Sequence, residues 1–213
     1  MKHIYFVRHG ETETNAKKLH FSSPTDPLTQ KGQEQARFMA ERCSRLPLEA
    51  LISSTFTRAK QTADAISQKT GLSPIDSDLF IECKFASKYW SKDRADVEAL
   101  ADLELIWKNW GVSDYRIADE ENYEDIVERS DKALAFLVQR PEEHIGVVTH
   151  GLFLNNLIAR ALFGKSFTPE VSTTISISME TINTGLTIVR YDKDRVDRPW
   201  TLWVWNDHAH LAD

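Results

Sequence analysis

The chain has 213 residues, 41% of them hydrophobic, with 26 Lys plus Arg against 32 Asp plus Glu and a net charge of −6. That size suits one α/β domain with a real core, and the acidic balance excludes the broad basic face of a general nucleic-acid binder. The two cysteines, Cys43 and Cys83, make neither a disulfide framework nor a metal motif.

Ile4-Tyr5-Phe6-Val7 opens the chain as an apolar run without alternation, the pattern of a strand buried on both faces. It is too short for a signal peptide, and no apolar stretch reaches the roughly 20 residues of a membrane span. These features predict a soluble, cytoplasmic protein without a membrane partner. Thr29 is placed to cap a helix whose buried face is Ala36, Met39, Ala40 and Cys43. Ala50-Leu51-Ile52 reads as a second buried strand. Thr57 then caps a helix with Ala59, Ala63 and Ile66 inward, closed by Gly71.

Residues 73–121 lack a convincing buried strand and hold Trp90, Trp107 and Trp110. They are expected to form a largely helical insertion capping the substrate within a single domain spanning residues 1–213. Trp107 and Trp110, one helical turn apart, are expected in the core. Tyr123, Ile126, Val127, Leu134 and Leu137 mark an amphipathic helix, Ile145–Val148 a third buried strand, and Gly151 to Phe163 a helix ended by Gly164. The tail alternates through Ile175–Met179, Leu186–Val189 and Trp200–Trp205, which predicts strands, the last two as a hairpin across Asp192–Pro199. The element order predicts a doubly wound, mainly parallel α/β sheet flanked by helices.

In such a sheet ligands bind beyond the carboxyl ends of the strands. The three buried strands run into Arg8-His9-Gly10, into Ser53-Ser54-Thr55 with Arg58 beyond, and into Thr149-His150-Gly151. Two arginines and two histidines in one pocket point to an anion. Guanidinium groups match phosphate oxygens bidentately. Helices starting near Thr57 and Gly151 are expected to aim free N–H groups at it, and Gly10 and Gly151 to let main chain approach the ligand.

Arg8-His9-Gly10-Glu11-Thr12, with Asn15 beyond, resembles the signature of the histidine phosphatase superfamily, which includes the cofactor-dependent phosphoglycerate mutases. The similarity continues in Asp26-Pro27-Leu28-Thr29, Gly32, Gln35-Ala36, Ser53-Ser54, Arg58, Gln61-Thr62-Ala63 and Val147–Gly151, and more weakly in Asn183-Thr184-Gly185. The resemblance implies a phosphomonoesterase acting through a phosphohistidine on a small phosphorylated substrate, with no cofactor and no metal. His9 would be the nucleophile, and Arg8, Arg58, His150, Asn15 and Gly151 would hold the phosphate. Glu82 matches the family's proton donor. Phe80, Ile81 and Phe85 are expected to bury its carboxyl and keep it protonated. The rival carboxyls are Asp78, Glu120 and Glu121.

Two departures bear on the substrate. The segment between Asn15 and Asp26, including Lys17, Lys18, His20 and Ser22, lacks the Arg or Gln-Gly common in relatives, and Glu82–Ser87 replaces the mutases' Glu-Arg-His-Tyr-Gly. A phosphatase is therefore favoured over a mutase, with a silent phospholigand-binding module as the non-enzyme alternative. Lys84, Lys88, Lys92 and Arg94 near Trp90 form either a second anion site or a solvated face. Asp207, His208 and His210 only superficially resemble metal ligands, and no Gly-x-Ser-x-Gly elbow of a serine hydrolase occurs. No feature of the sequence sets an oligomeric state.

Overall fold

In a computed structural model, residues 1–19 and 21–211 are described. His20 of the substrate-side segment, and the last two residues of the expected 1–213 domain, lie outside the described residues.

The strands are β1 (Lys2–Arg8), β2 (Ala50–Ser53), β3 (Pro74–Asp76), β4 (His144–Thr149), β5 (Leu186–Tyr191) and β6 (Trp200–Asp207). The helices are α1 (Glu13–Ala16), α2 (Gln30–Cys43), α3 (Thr57–Thr70), α4 (Val97–Lys108), α5 (Tyr123–Gln139), α6 (Gly151–Phe163) and α7 (Pro169–Ser178). One mixed sheet runs β3-β2-β4-β1-β5-β6. The β1, β2, β3 and β4 strands are parallel, while β5 and β6 add as an antiparallel hairpin.

The unalternating strand runs have a simple cause: both faces of the sheet are covered. Ile4 and Phe6 pack with Ile145, Val147 and Val189 beneath Ile126 and Leu137 of α5 and Phe153, Leu154 and Leu157 of α6. Tyr5 and Val7 point the other way, onto Met39, Ala40 and Cys43 of α2 and Ala59, Ala63 and Ile66 of α3. Gly71 ends α3 in the left-handed region, at φ 75°, where a side chain would be strained.

Four expectations change. Ile175–Met179 is not a strand: Thr168 accepts the Val171 N–H and Pro169 occupies the first turn, so α7 starts there and runs through the alternating segment. Ile177 thereby stays exposed. Thr57 does not cap α3; the cap position is Phe56, whose N–H is taken by Ser54 Oγ at 3.3 Å. Residues 73–121 contain the short edge strand β3 and one regular helix, α4, joined by turns rather than being largely helical. That strand was obscured by its length and by Pro74, which an edge tolerates. Trp107 does not join the core, and its place is given below.

Candidate active site

Register brings the three strand ends together. Arg8 lies opposite Thr149 across β1 and β4, and Ser53 lies opposite Val148 across β2 and β4. The backbone then stitches the loops: His9 N–H donates to Thr149 O at 3.0 Å, and Ser54 N–H to Val148 O at 2.9 Å.

His9 is only 3% exposed. Its Nδ1 lies 2.7 Å from Gly10 O, which can only accept, so Nδ1 carries the proton. The Nε2 lone pair faces Arg58, whose Nε donates to it at 3.1 Å. Burial first, then the Arg58 and Arg8 charges, hold the imidazole well below its ordinary pKa of 6.5. His9 is therefore a neutral imidazole with Nε2 unprotonated, the form a nucleophile requires.

Arg58 is 1% exposed and donates from Nη1 to Ser23 O at 2.8 Å. Burial lowers its pKa to about 10, so it remains a cation at neutral pH. Arg8 donates from Nη1 to Thr181 O, while its buried Nε has no partner among the described residues. Asn15 is placed by a capping box at α1: its Oδ1 accepts from Thr12 N–H and from Asn183 Nδ2, which leaves its NH₂ for a ligand. His150 is fully buried behind His9, with ring centroids 5.0 Å apart and Nε2 2.7 Å from Ser54 Oγ. Its Nδ1 has no partner among the described residues. It does not line the cavity itself. Burial, then Arg58, His9 and Arg8, keep it neutral too.

Glu82 lines the same cavity as Arg8, His9, Asn15 and Arg58. Its surroundings differ from the expected apolar burial. Phe80 and Ile81 turn into the core, while the carboxyl accepts N–H groups from Phe153 at 2.7 Å, Cys83 at 2.9 Å and Leu152 at 3.3 Å. The rival carboxyls are elsewhere: Asp78 takes the Thr55 hydroxyl, Glu120 holds the N–H groups of Ile117 and Ala118, and Glu121 pairs with Arg129.

This changes the expected backbone contribution. Two first-turn N–H groups of α6 are occupied by Glu82, and Thr57 N–H of α3 donates to Pro24 O. The anion site is therefore built mainly from side chains. The glycines also serve differently from expectation. A Cβ on Gly10 would lie 2.4 Å from Gly32 O, so Gly10 permits a crossing of two backbones. A Cβ on Gly151 would lie 2.7 Å from Thr181 Oγ1 and 3.3 Å from Arg8 Nε, so Gly151 makes room for the arginine.

The cavity measures about 800 Å³ and extends from these residues to the 73–121 segment, where Trp90 and Trp107 line it. Trp107, expected in the core, is thus part of its wall. Lys88 and Lys92 turn away and pair with Asp102 and Asp96. Residues not singled out as site members also matter. Thr181 and Ser23 contribute carbonyls, for which a sequence has no signal. Ser54 bonds His150, and Asn183 bonds His9 O at 3.0 Å. The Asn183-Thr184-Gly185 motif was a visible clue to the last. Thr184 there sits at φ 61°, an uncommon value for a β-branched residue, and donates its N–H to Arg8 O.

Among the described residues no group of three or more His, Cys, Asp or Glu is disposed to hold a metal ion. Asp207 pairs with Arg42, and His210 lies against Arg42 and Thr184. No described helix is long and apolar enough to cross a membrane. A neutral imidazole between two guanidinium groups can attack phosphorus while the oxygens are held.

A family model of the histidine phosphatase superfamily, branch 1, matches residues 4–208. A protein from Enterobacter sp. strain 638, named probable phosphoglycerate mutase GpmB, is 33% identical over 166 residues, covering 76% of this chain and 75% of that one. A namesake from Salmonella arizonae is 32% identical over 171 residues, with the same coverage. A mycobacterial glucosyl-3-phosphoglycerate phosphatase solved with VO3 superposes with a TM-score of 0.80 at 22% identity, covering 98% of this chain and 100% of that one. The alpha-ribazole phosphatase from Shigella flexneri gives 0.79 at 20% identity, covering 96% of each chain. These two likenesses establish a common fold.

Proposed function

We propose that this chain, which belongs to the histidine phosphatase superfamily, hydrolyses small phosphomonoesters through a phosphohistidine on His9. The observation that carries the reading is the state of His9: Nδ1–H on Gly10 O, and an unprotonated Nε2 beside Arg58 in a cavity.

In this reading Arg8, Arg58 and Asn15 hold the three non-bridging oxygens. They stabilise charge as the phosphoryl group moves. His150 and the Gly151 main chain back the same site, and the buried Nε of Arg8, without a partner among the described residues, suits an oxygen-rich ligand. Substrate binding displaces Arg58 Nε from His9 Nε2. That nitrogen then attacks phosphorus as the ester P–O bond breaks, and a proton that enters with the substrate monoanion is relayed by the Glu82 carboxyl to the departing oxygen. Water next attacks the phosphohistidine, its proton is relayed by Glu82 to the phosphate, the P–N bond breaks, and phosphate leaves with His9 neutral again. No step in this scheme calls for a metal ion. A cytoplasmic location fits the two free, buried cysteines, Cys43 and Cys83.

The likeness to the two probable phosphoglycerate mutases supports a second reading, phosphoryl transfer between positions of a phosphoglycerate. One experiment separates the two. Wild type and His9→Ala are assayed with chelator on p-nitrophenyl phosphate, and wild type on a phosphoglycerate by phosphorus NMR. Phosphate release that vanishes in the variant supports the phosphatase. Positional exchange without release would favour the mutase, and release that persists in His9→Ala would mean another nucleophile.

A further inference from the structure

Away from His9 the cavity has a different character. Phe21 and Phe85 stack face to face with centroids 3.6 Å apart. Trp90, Leu100, Leu103 and Trp107 continue the wall. At the mouth, Ile177 is 79% exposed, Leu100 48% and Trp90 39%. A concentration of exposed large apolar side chains around a cavity marks a binding surface.

Several polar groups along this wall are engaged within the protein. Thr14 Oγ1 donates to Asp26, Arg94 Nε reaches Leu19 O at 3.4 Å, and Asp119 accepts the Ser87 N–H. Lys88 and Lys92 are drawn off to carboxylates of the 73–121 segment. Lys84 and Arg94 line the cavity but are exposed to solvent, where a surface cation contributes little. Along Phe21, Phe85, Leu100 and Leu103, which carry no side-chain polar group, the hydroxyls of a sugar would lose water without gaining partners, which is costly. An apolar chain would gain by covering Trp90, Leu100 and Ile177.

Resting on the phosphatase reading above, we infer that the substrate is a phosphomonoester of an extended apolar alcohol, alkyl or aryl, rather than of a sugar or hydroxy acid. The phosphate sits at His9, and the chain lies along Phe21, Phe85 and Trp107 toward Ile177.

The test is a series of n-alkyl phosphates from ethyl to octyl, below micelle formation, with glycerol phosphate and p-nitrophenyl phosphate alongside. The alcohols have nearly equal acidity, so chain length reports burial alone. Full burial of a methylene is worth about 0.8 kcal/mol, about fourfold, and we expect kcat/KM to rise roughly two- to fourfold per methylene. Glycerol phosphate should stay near ethyl phosphate. Trp107→Ala, and separately the surface change Ile177→Ser, should each reduce the octyl-to-ethyl ratio of kcat/KM by roughly fivefold or more. A flat series, or glycerol phosphate outrunning octyl phosphate, while p-nitrophenyl phosphate is turned over, overturns this inference and leaves the phosphatase reading standing. Failure to hydrolyse any of them, p-nitrophenyl phosphate included, overturns both.

Discussion

Replacing Ser54 by alanine removes one oxygen atom and should cost more than a typical buried hydroxyl. Ser54 is fully buried, and its Oγ serves two partners, His150 Nε2 at 2.7 Å and the Phe56 N–H at 3.3 Å. The His150 ring has no other hydrogen bond among the described residues, because its Nδ1 is already unpaired. The variant therefore leaves a buried imidazole without a partner among the described residues and takes from the part-buried Phe56 N–H, at the cap position of α3, its acceptor. Each unsatisfied buried group costs about 1–3 kcal/mol. The Phe56 bond is long, so we expect a total of about 2–3 kcal/mol. For a domain of this size that lowers Tm by roughly 4–12 °C. Urea unfolding should show a lower midpoint at unchanged slope. Turnover of p-nitrophenyl phosphate should fall as well, because the bond that orients His150 beside His9 is gone. A double-mutant cycle with His150→Phe should return a coupling of about 1 kcal/mol or more. A Tm within 1 °C of wild type, or a coupling near zero, would refute the claim that this hydroxyl holds His150.

The remaining predictions concern pH, one glycine and one ion pair. His9 and His150 are held below the ordinary imidazole value of 6.5 in the folded chain. Below pH 6.5 the unfolded state therefore binds protons that the folded state does not. Stability should be full above about pH 6.5 and fall on acidification, by up to about 1.4 kcal/mol per pH unit for each histidine. Urea midpoints between pH 7.5 and 5 would measure it, and a midpoint independent of pH there would contradict the buried neutral state. Gly151→Ala should improve helix propensity in α6 yet drive Thr181 Oγ1 and Arg8 aside, so turnover drops about tenfold or more with little loss of Tm. Adding Thr181→Ala, which keeps the carbonyl that holds Arg8, should restore part of the activity in the same assay. Arg129 is nearly buried, pairs with Glu121 and donates to Ile81 O at 2.8 Å, just before Glu82. Arg129→Met should cost about 3–5 kcal/mol by chemical denaturation and lower kcat, and an unchanged kcat would mean Glu82 is placed without it.

Much of the fold was legible because its causes are local in the chain. Strands covered on both faces must be apolar at every position, so Ile4–Val7 and Ile145–Val148 announce a buried parallel sheet. Parallel strands share a carboxyl end, so His9, Arg58 and His150 could be assigned to one pocket before any coordinate. Where local cues conflicted, the reading failed. Ile175–Met179 carries a period of two, yet Thr168-Pro169 starts a helix that runs through it.

The amino-acid order by itself therefore determined the parallel core of the sheet, the end at which its loops converge and the side chains those loops carry. Only the tertiary structure decided what those side chains rest on. Arg8 finds the Thr181 carbonyl 173 residues away, and Glu82 meets the start of α6 about 70 residues on. Backbone carbonyls and N–H groups are the same at every position, so nothing in a sequence marks which of them will be used. The character of the cavity is decided in the same way. Lysines left open between a second anion site and a solvated face turn to Asp102 and Asp96, and a tryptophan that reads as core lines the wall. Charge pairing and packing choose among faces that residue type leaves equivalent, and they do so only once distant segments are brought together.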